Sequence, residues 1–389
     1  MFAVLTLSSL VLVGPDRPVD FCVPPGETVV YDTESGPLRV RDLTIGAGGT
    51  LRVRGTRPFV VRASRRVQVD GLLELSGFDA RVSTGGTDVR EPGGAGGPGG
   101  GAGGAASHNV RGATARGDSG EDRLGLTRGG GGGESALLQL GSFRRAGDGG
   151  GGALAADQPE VDEPTDPANL GLVVGAGEDG SPDALGALSG TPPPRGGLAG
   201  SPVFVDGVPA NDFWGVALDA EGNPVRGELD RPVGGRGGGG GGDSIPDSVF
   251  PPLDWQPDQG EKAGAGGGGG GLGIVIAETI VAGPFGEIRS NGGAGALGQN
   301  GLFVDGVGGD GGGGSGGYLV LAASTIDLSP ALGVPLSAVG GPGGVVRPEG
   351  HGGPGVIQLH TPDATGVRLP VGRELAELSR PDAWSLLLR

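Results

Sequence analysis

The stretch AGAGGGGGGLGIVIAETI, residues 263 to 280, sets six consecutive glycines, Gly266 to Gly271, almost flush against a run of aliphatic and β-branched residues. Ordering a glycine costs more backbone entropy than ordering any other residue. Ile274, Val275 and Ile276, by contrast, are stiff and suited to a pleated, buried surface. Only two kinds of fold accommodate that junction. Either the glycines are loops hanging from a β scaffold, or they are packed into the fold and make contacts that offset the lost entropy.

The junction recurs. GGDGGGGSGG (Gly308 to Gly317) precedes Leu319, HGGPG (His351 to Gly355) precedes Val356, and further tracts occupy Gly93 to Gly104 and Gly235 to Gly242. A linker has no need to recur in phase with strands, so the expectation is a packed Gly-rich layer. Without side chains, extended helices of three residues per turn, the polyglycine relatives of polyproline, approach closely. N–H···O=C bonds then form between them, with Cα–H···O contacts adding a little.

Three segments align as a repeat: FVVRASRRVQVDGLLELSG (Phe59 to Gly77), IVIAETIVAGPFGEIRSNGG (Ile274 to Gly293) and LVLAASTIDLSPALGVPLSAVGG (Leu319 to Gly341). Each opens with three apolar residues. Ala63, Ala277 and Ala322 follow at or beside one offset, then Val67, Ile280 and Ile326, then a Gly or Pro turn and a second short strand. GVIQLHTP (Gly355 to Pro362) reads as a shorter fourth copy. Towards the N-terminus, Leu38, Val40, Leu43 and Ile45 alternate with polar residues across a one-residue slip, and Leu51 and Val53 alternate with Thr50, Arg52 and Arg54. This is strand patterning with one face buried.

Short strands at regular spacing predict an all-β fold. Stacked repeats with a narrow core of small and branched aliphatics favour a parallel β-helix or solenoid-like scaffold with a polyglycine II layer; the alternative is a β-sandwich. Aromatics are only 4% of the chain, which suits such a core. The tracts and their flanking apolar copies resemble bacterial Gly-rich surface proteins built on β-solenoids. They also resemble proteins whose Gly segments bundle as polyglycine helices, among them some phage adhesin tips and a springtail antifreeze protein. The resemblance is compositional, covers about half the chain and carries over no individual functional residue. Strict Gly-x-x periodicity is not kept.

The expected organisation follows. Residues 1–22 read as an export signal or a first strand, 23–77 as N-terminal β coils, and 78–262 as an insertion rich in Gly, Pro and acids. Residues 263–362 read as C-terminal repeats and 363–389 as a cap, in which RELAELSRPDAWSLLLR is the one helix-like stretch. Within the insertion, Val203 to Leu229 predicts a hairpin turning at Glu221 to Pro224. It carries Asp212, Phe213 and Trp214 as a candidate binding platform, set against burial of the aromatic pair.

A net charge of −17 and a pI near 4.6 disfavour nucleic acid and anionic lipid as partners. Cys22 is the only cysteine, so no intrachain disulfide or cysteine metal cluster forms. No stretch reaches transmembrane length. DQPEVDEPTDP (Asp157 to Pro167) reads as a solvated loop, with weak Ca2+ binding as its alternative; no other cofactor or metal is expected. RGDSG (Arg116 to Gly120) matches an integrin tripeptide by chance composition and sits in an expected exposed loop. Its GDSG lacks the His and Asp that a Ser119 nucleophile would need. The chain has only His108, His351 and His360, and no pair at zinc spacing.

The sequence therefore points to a non-enzymatic, exported structural or adhesive surface protein that presents Gly-rich and acidic loops to a surface polysaccharide or another protein. The alternative is a carbohydrate-binding or polysaccharide-cleaving β-helix, which would need convergent acids in a groove.

Overall fold

The structure is a computed structural model. It describes residues 19–81, 91–107, 117, 119–121, 129–134, 136–138, 144–157, 195–200, 204–206, 216–218, 224–226, 233–246, 262–299, 306–344, 350–360 and 364–365. Strand is nearly the only regular structure among them. One 3-10 turn, Thr33–Ser35, is the exception, and no α-helix occurs among the described residues.

In chain order the first strands are β1 (Phe21–Val23), β2 (Thr28–Asp32), β3 (Leu38–Ile45), β4 (Thr50–Arg54), β5 (Phe59–Val69) and β6 (Leu72–Glu74). Short strands follow: β7 (Ala136–Leu138), β8 (Arg144–Arg145), β9 (Ala155–Asp157), β10 (Phe204–Asp206), β11 (Val216–Leu218), β12 (Pro224–Arg226) and β13 (Ser244–Pro246). The last are β14 (Leu272–Ala282), β15 (Glu287–Arg289), β16 (Gly306–Val307), β17 (Tyr318–Asp327), β18 (Leu336–Ser337), β19 (Val356–His360) and β20 (Ala364–Thr365).

Two parallel sheets organise the molecule. The first runs β1-β3-β5-β14-β17-β19, with β20 also on β17; the second runs β18-β15-β6-β4-β2. The chain visits them alternately, and neither sheet closes on itself. β5 and β14 pair directly although about two hundred residues separate them, with Val67 opposite Ile280 and Ile280 opposite Ile326. Ala277 lies opposite Ala323, one residue on from the Ala322 of the sequence alignment. The slip in the β3 pattern is a register shift between Val40 and Asp42.

The core lies between the sheets. Val40, Leu43 and Ile45 from β3, Phe59, Val61 and Val67 from β5, and Leu51, Val53 and Leu73 from the second sheet are buried together. β14 and β17 are apolar on both faces at their N-terminal halves. Val275, Ala277, Leu319 and Leu321 face this core, while Leu272, Ile274, Ile276, Tyr318 and Val320 pack on the far side with Leu154 and Val233. That explains their unbroken apolar runs, which a half-exposed strand would not show. Past Ala277 and Ala323 the outer face turns polar.

The glycine tracts form the second structural region. Gly235, Gly238 and Gly241 donate to the carbonyls of Gly270, Gly267 and Gly264; Gly239 and Gly242 donate to Gly150 and Gly147; Gly237 donates to Glu121. The carbonyls of Gly235, Gly238 and Gly241 accept from Gly101, Gly104 and Ser107. Those of Arg236, Gly239 and Gly242 accept from Ser315, Gly312 and Gly309, and those of Gly237 and Gly240 accept from Gly130 and Gly133. Each neighbour is met at every third residue, and one tract is bonded to six others. The tracts 262–271 and 308–317 show the same repeat. All three are buried.

Left-handed φ is not what selects glycine here: among the described glycines positive φ occurs only at Gly26, Gly36, Gly48, Gly55, Gly99 and Gly350. The requirement is the missing side chain. A Cβ on Gly238, Gly268 or Gly314 would fall within 3.0 Å of backbone atoms of Gly312, Ala95 or Gly268 respectively, closer than real Cβ atoms come. Tracts 262–271, 308–317 and 350–355 lead straight into β14, β17 and β19, and the strand neighbours are also the tract neighbours: Gly270 donates to Ser315 where Leu272 pairs Tyr318. The glycines are therefore the continuation of the strands.

Candidate functional site

Short polar side chains complete the lattice at several buried backbone N–H groups. Ser315 Oγ accepts from Arg236 N at 2.7 Å and Ser107 Oγ from Asp243 N at 2.6 Å; Asp243 Oδ1 accepts from Ala263 N and Asp148 Oδ1 from Asp310 N, each at 2.8 Å. All of these oxygens belong to buried residues. A buried N–H left without a partner costs about 1–3 kcal/mol, so these side chains serve the fold.

The polar surface that opens into hollows lies on the outer face of the second sheet. Leu51, Val53, Leu73 and Ile288 point inward, so period-two alternation turns Arg52, Arg54, Glu74, Glu287 and Arg289 outward. Arg52 lies opposite Glu74, Glu74 opposite Arg289, and Arg289 opposite Ser337 on adjoining strands. Arg289 grips Glu287 through two bonds of 2.8 and 2.6 Å and reaches Glu74 at 3.6 Å. The bond to Glu287 raises the Arg289 pKa above its ordinary value, against the desolvation of partial burial.

Beyond the strand ends, the chain continues as Ser76, Gly77, Phe78 and Asp79 beside Asn291 and Gly292. Here a hollow of about 390 Å³ opens, lined also by Arg52, Glu74 and Arg289. A second hollow, about 420 Å³, is lined by Arg54, Thr56, Ala95 and Gly100 and shares Phe78 with the first. The Arg54 guanidinium sits 5.2 Å from the centroid of the half-buried Phe78 ring, in cation–π range. Asn291 is held by its neighbours: its N–H donates to Ser76 Oγ, and its Oδ1 accepts from Ser337 Oγ at 2.7 Å and Val339 N at 3.0 Å. Glu74 Oε1 accepts from Ser76 N and Asp79 Oδ1 from Ala294 N. Each of these acids thus anchors backbone. Arg52 has no acidic partner among the described residues, and with Arg54, Phe78 and Asn291 it forms a site that can bind and orient a ligand.

Asp212, Phe213 and Trp214, the platform read from the sequence, lie outside the described residues. Around them, β11 and β12 pair antiparallel, whereas Phe204 to Asp206 joins β9 in parallel and so is not part of that hairpin. At RGDSG the exposed loop expected from the sequence is corrected only at its glycines: Ser119 is exposed, whereas Gly117 and Gly120 are buried and donate to Gly133 and Gly130, drawn into the lattice. Arg116 and Asp118 lie outside the described residues, as do His108, the acidic run apart from Asp157, and the helix-like C-terminal stretch. Among the described residues no three His, Cys, Asp or Glu side chains converge as metal ligands, and no helix is long and apolar enough to cross a membrane.

The groove residues Arg52, Arg54, Phe78, Arg289 and Asn291 were not singled out by the sequence reading. The repeat alignment holds the signal, since it sets GLLELSG over GEIRSNG and so brings Glu74 near Arg289. No protein family, curated protein or solved structure matches this chain.

Proposed function

We propose that the chain is a non-enzymatic structural or adhesive protein of a bacterial surface, exported from the cell, in which a parallel β-solenoid runs on into a bundle of polyglycine II helices. The observation that carries this reading is the hydrogen-bond repeat of three residues with six neighbours per tract, the repeat of the extended left-handed helix. The purely parallel pairing of both large sheets supports a solenoid over a sandwich, since sandwiches are built from antiparallel sheets. Backbones bonded on all sides make a stiff platform. Such a platform suits a protein whose role is to present a surface to a polysaccharide or protein partner.

Two measurements test the reading. Amide hydrogen exchange resolved over 235–242, 264–271 and 308–317 is expected to be slow; exchange at the unfolded-chain rate removes the platform. Antibody labelling of intact producing cells is expected to reach the protein; confinement to the cell interior removes the surface role.

A further inference from the structure

The lattice bonds the backbone of the groove at Phe78, but the side chains of Arg52 and Phe78 and the amide nitrogen of Asn291 take no part in it. We propose that the groove binds a carboxylate-bearing sugar, a uronic-acid residue within a glycan. Four kinds of group meet there. Arg52 offers a planar fork of donors with no acidic partner among the described residues, the geometry that matches a carboxylate. Asn291 has its Oδ1 engaged by Ser337 and Val339, which leaves its amide N–H donors for ligand hydroxyls. Asp79 uses Oδ1 on Ala294 N and keeps Oδ2 as an acceptor for hydroxyl donors. Phe78 supplies an apolar wall common to both hollows.

The charge pattern selects among anions. Residues 19–81 hold nine arginines and eight carboxylates, so this part of the molecule is slightly basic within a chain of net charge −17. A densely charged polyphosphate would meet Glu74 and Asp79 inside the same groove and be repelled. A sugar acid carries one charge per ring for Arg52 and hydroxyls that satisfy Asp79 and Asn291. The row Arg52, Glu74, Arg289 crosses the sheet from strand to strand, so an extended glycan would lie across the strands.

The test is calorimetric titration of the full chain with a trisaccharide of glucuronic acid, its methyl ester and poly-glutamate. The expected result is saturable binding of the acid, with the ester and Arg52→Gln each weaker by about tenfold, the worth of one charge-assisted bond. Arg39→Gln, on the first sheet, is expected to leave affinity unchanged and controls for general attraction. Asn291→Ala is expected to weaken acid and ester alike. Four outcomes overturn the proposal: no binding of the acid, equal binding of the ester, equal binding of poly-glutamate, or equal losses from Arg39→Gln and Arg52→Gln. The lattice measurements above are independent of all four, so this site and the scaffold reading fail separately.

Discussion

Residues 262–271 and β14 are one uninterrupted piece of chain held by opposite means. In β14 the backbone bonds sideways to two neighbours, β5 and β17, and the space above and below is filled by Val275, Ile276 and Ile280. Stacked sheets sit about 10 Å apart because side chains stand between them. In the glycine tract nothing stands between layers, so Gly268 donates to Phe78 and Gly271 to Leu75, residues that continue the second sheet. The void that side chains would fill is closed by backbone. One region is stabilised by apolar area removed from water, the other by hydrogen bonds in every direction and tight dispersion contacts. What each tolerates should differ accordingly, and one carbon atom is enough to test it.

The largest effect is expected where a carbon is added to the lattice. Gly314 donates to Gly293 and accepts from Gly341, and its missing side chain points at the Gly268 carbonyl. Neither neighbour can move without breaking its own bonds, so Gly314→Ala should cost about 3 kcal/mol or more, the upper range for overpacking. Denaturant unfolding reads this directly; a loss below that of a core truncation would mean that the lattice yields. Next door, Ser315 already carries a Cβ, and its Oγ satisfies the buried Arg236 N–H. Ser315→Ala should cost about 1–3 kcal/mol through that orphaned donor. Ser315→Gly should cost no less, since it loses the same bond.

Removing a carbon from the apolar core is milder. Ile280 is fully buried in the row Val67, Ile280, Ile326, and Ile280→Val should cost about 0.5–1.5 kcal/mol by the same unfolding measurement. A value as large as that of Gly314→Ala would erase the distinction between the regions. The same carbon should be harmless, or better, outside both. Gly333 has open space around its Cβ position and no positive φ. Gly333→Ala should therefore stabilise by about 0.4–1 kcal/mol through the unfolded chain alone. A loss there would show that glycine is required in this protein for a reason other than packing.

The same contrast decides what was legible. Alternation at Leu38, Val40, Leu43 and Ile45 gave the strand, its inner face and even the site of its register shift, because side chains record which way they point. The unbroken apolar runs of β14 and β17 gave burial but not the second layer, Leu154 and Val233, that covers them. The tracts announced that they were packed, by recurring in phase with strands. They could not announce partners: nothing in GRGGGGGG distinguishes a residue bonded to Gly267 from one bonded to Gly150. The groove was illegible for a third reason. Arg52, Phe78 and Asn291 lie on three segments, the last about two hundred residues from the others, and the pairing of β6 with both β4 and β15 brings them together.

The smallest effect expected is electrostatic, and it belongs to the sheets alone. On the polar half of the first sheet, Asp42 accepts from Arg65 and from Arg66 N, and Arg41 bridges Asp20 and Asp42. The hydrogen bond from Arg65, opposed by desolvation and helped by that residue's charge, holds the Asp42 carboxyl below its ordinary 3.8. A depressed carboxylate adds stability above its unfolded value, and that contribution is lost as pH falls through the folded one. Stability of the native chain should therefore decline below pH 3.8 more steeply than that of Asp42→Asn, and the two curves should converge at the acid end. The Arg41 and Arg65 side chains are solvent-exposed, so 0.5 M salt, with a Debye length of roughly 4 Å, should shrink the difference. Exchange in tracts 235–242 and 308–317 should not follow this titration. If their protection fell together with the Asp42 transition, the two regions would be one cooperative unit, and the sheet would be setting the stability of the lattice it feeds.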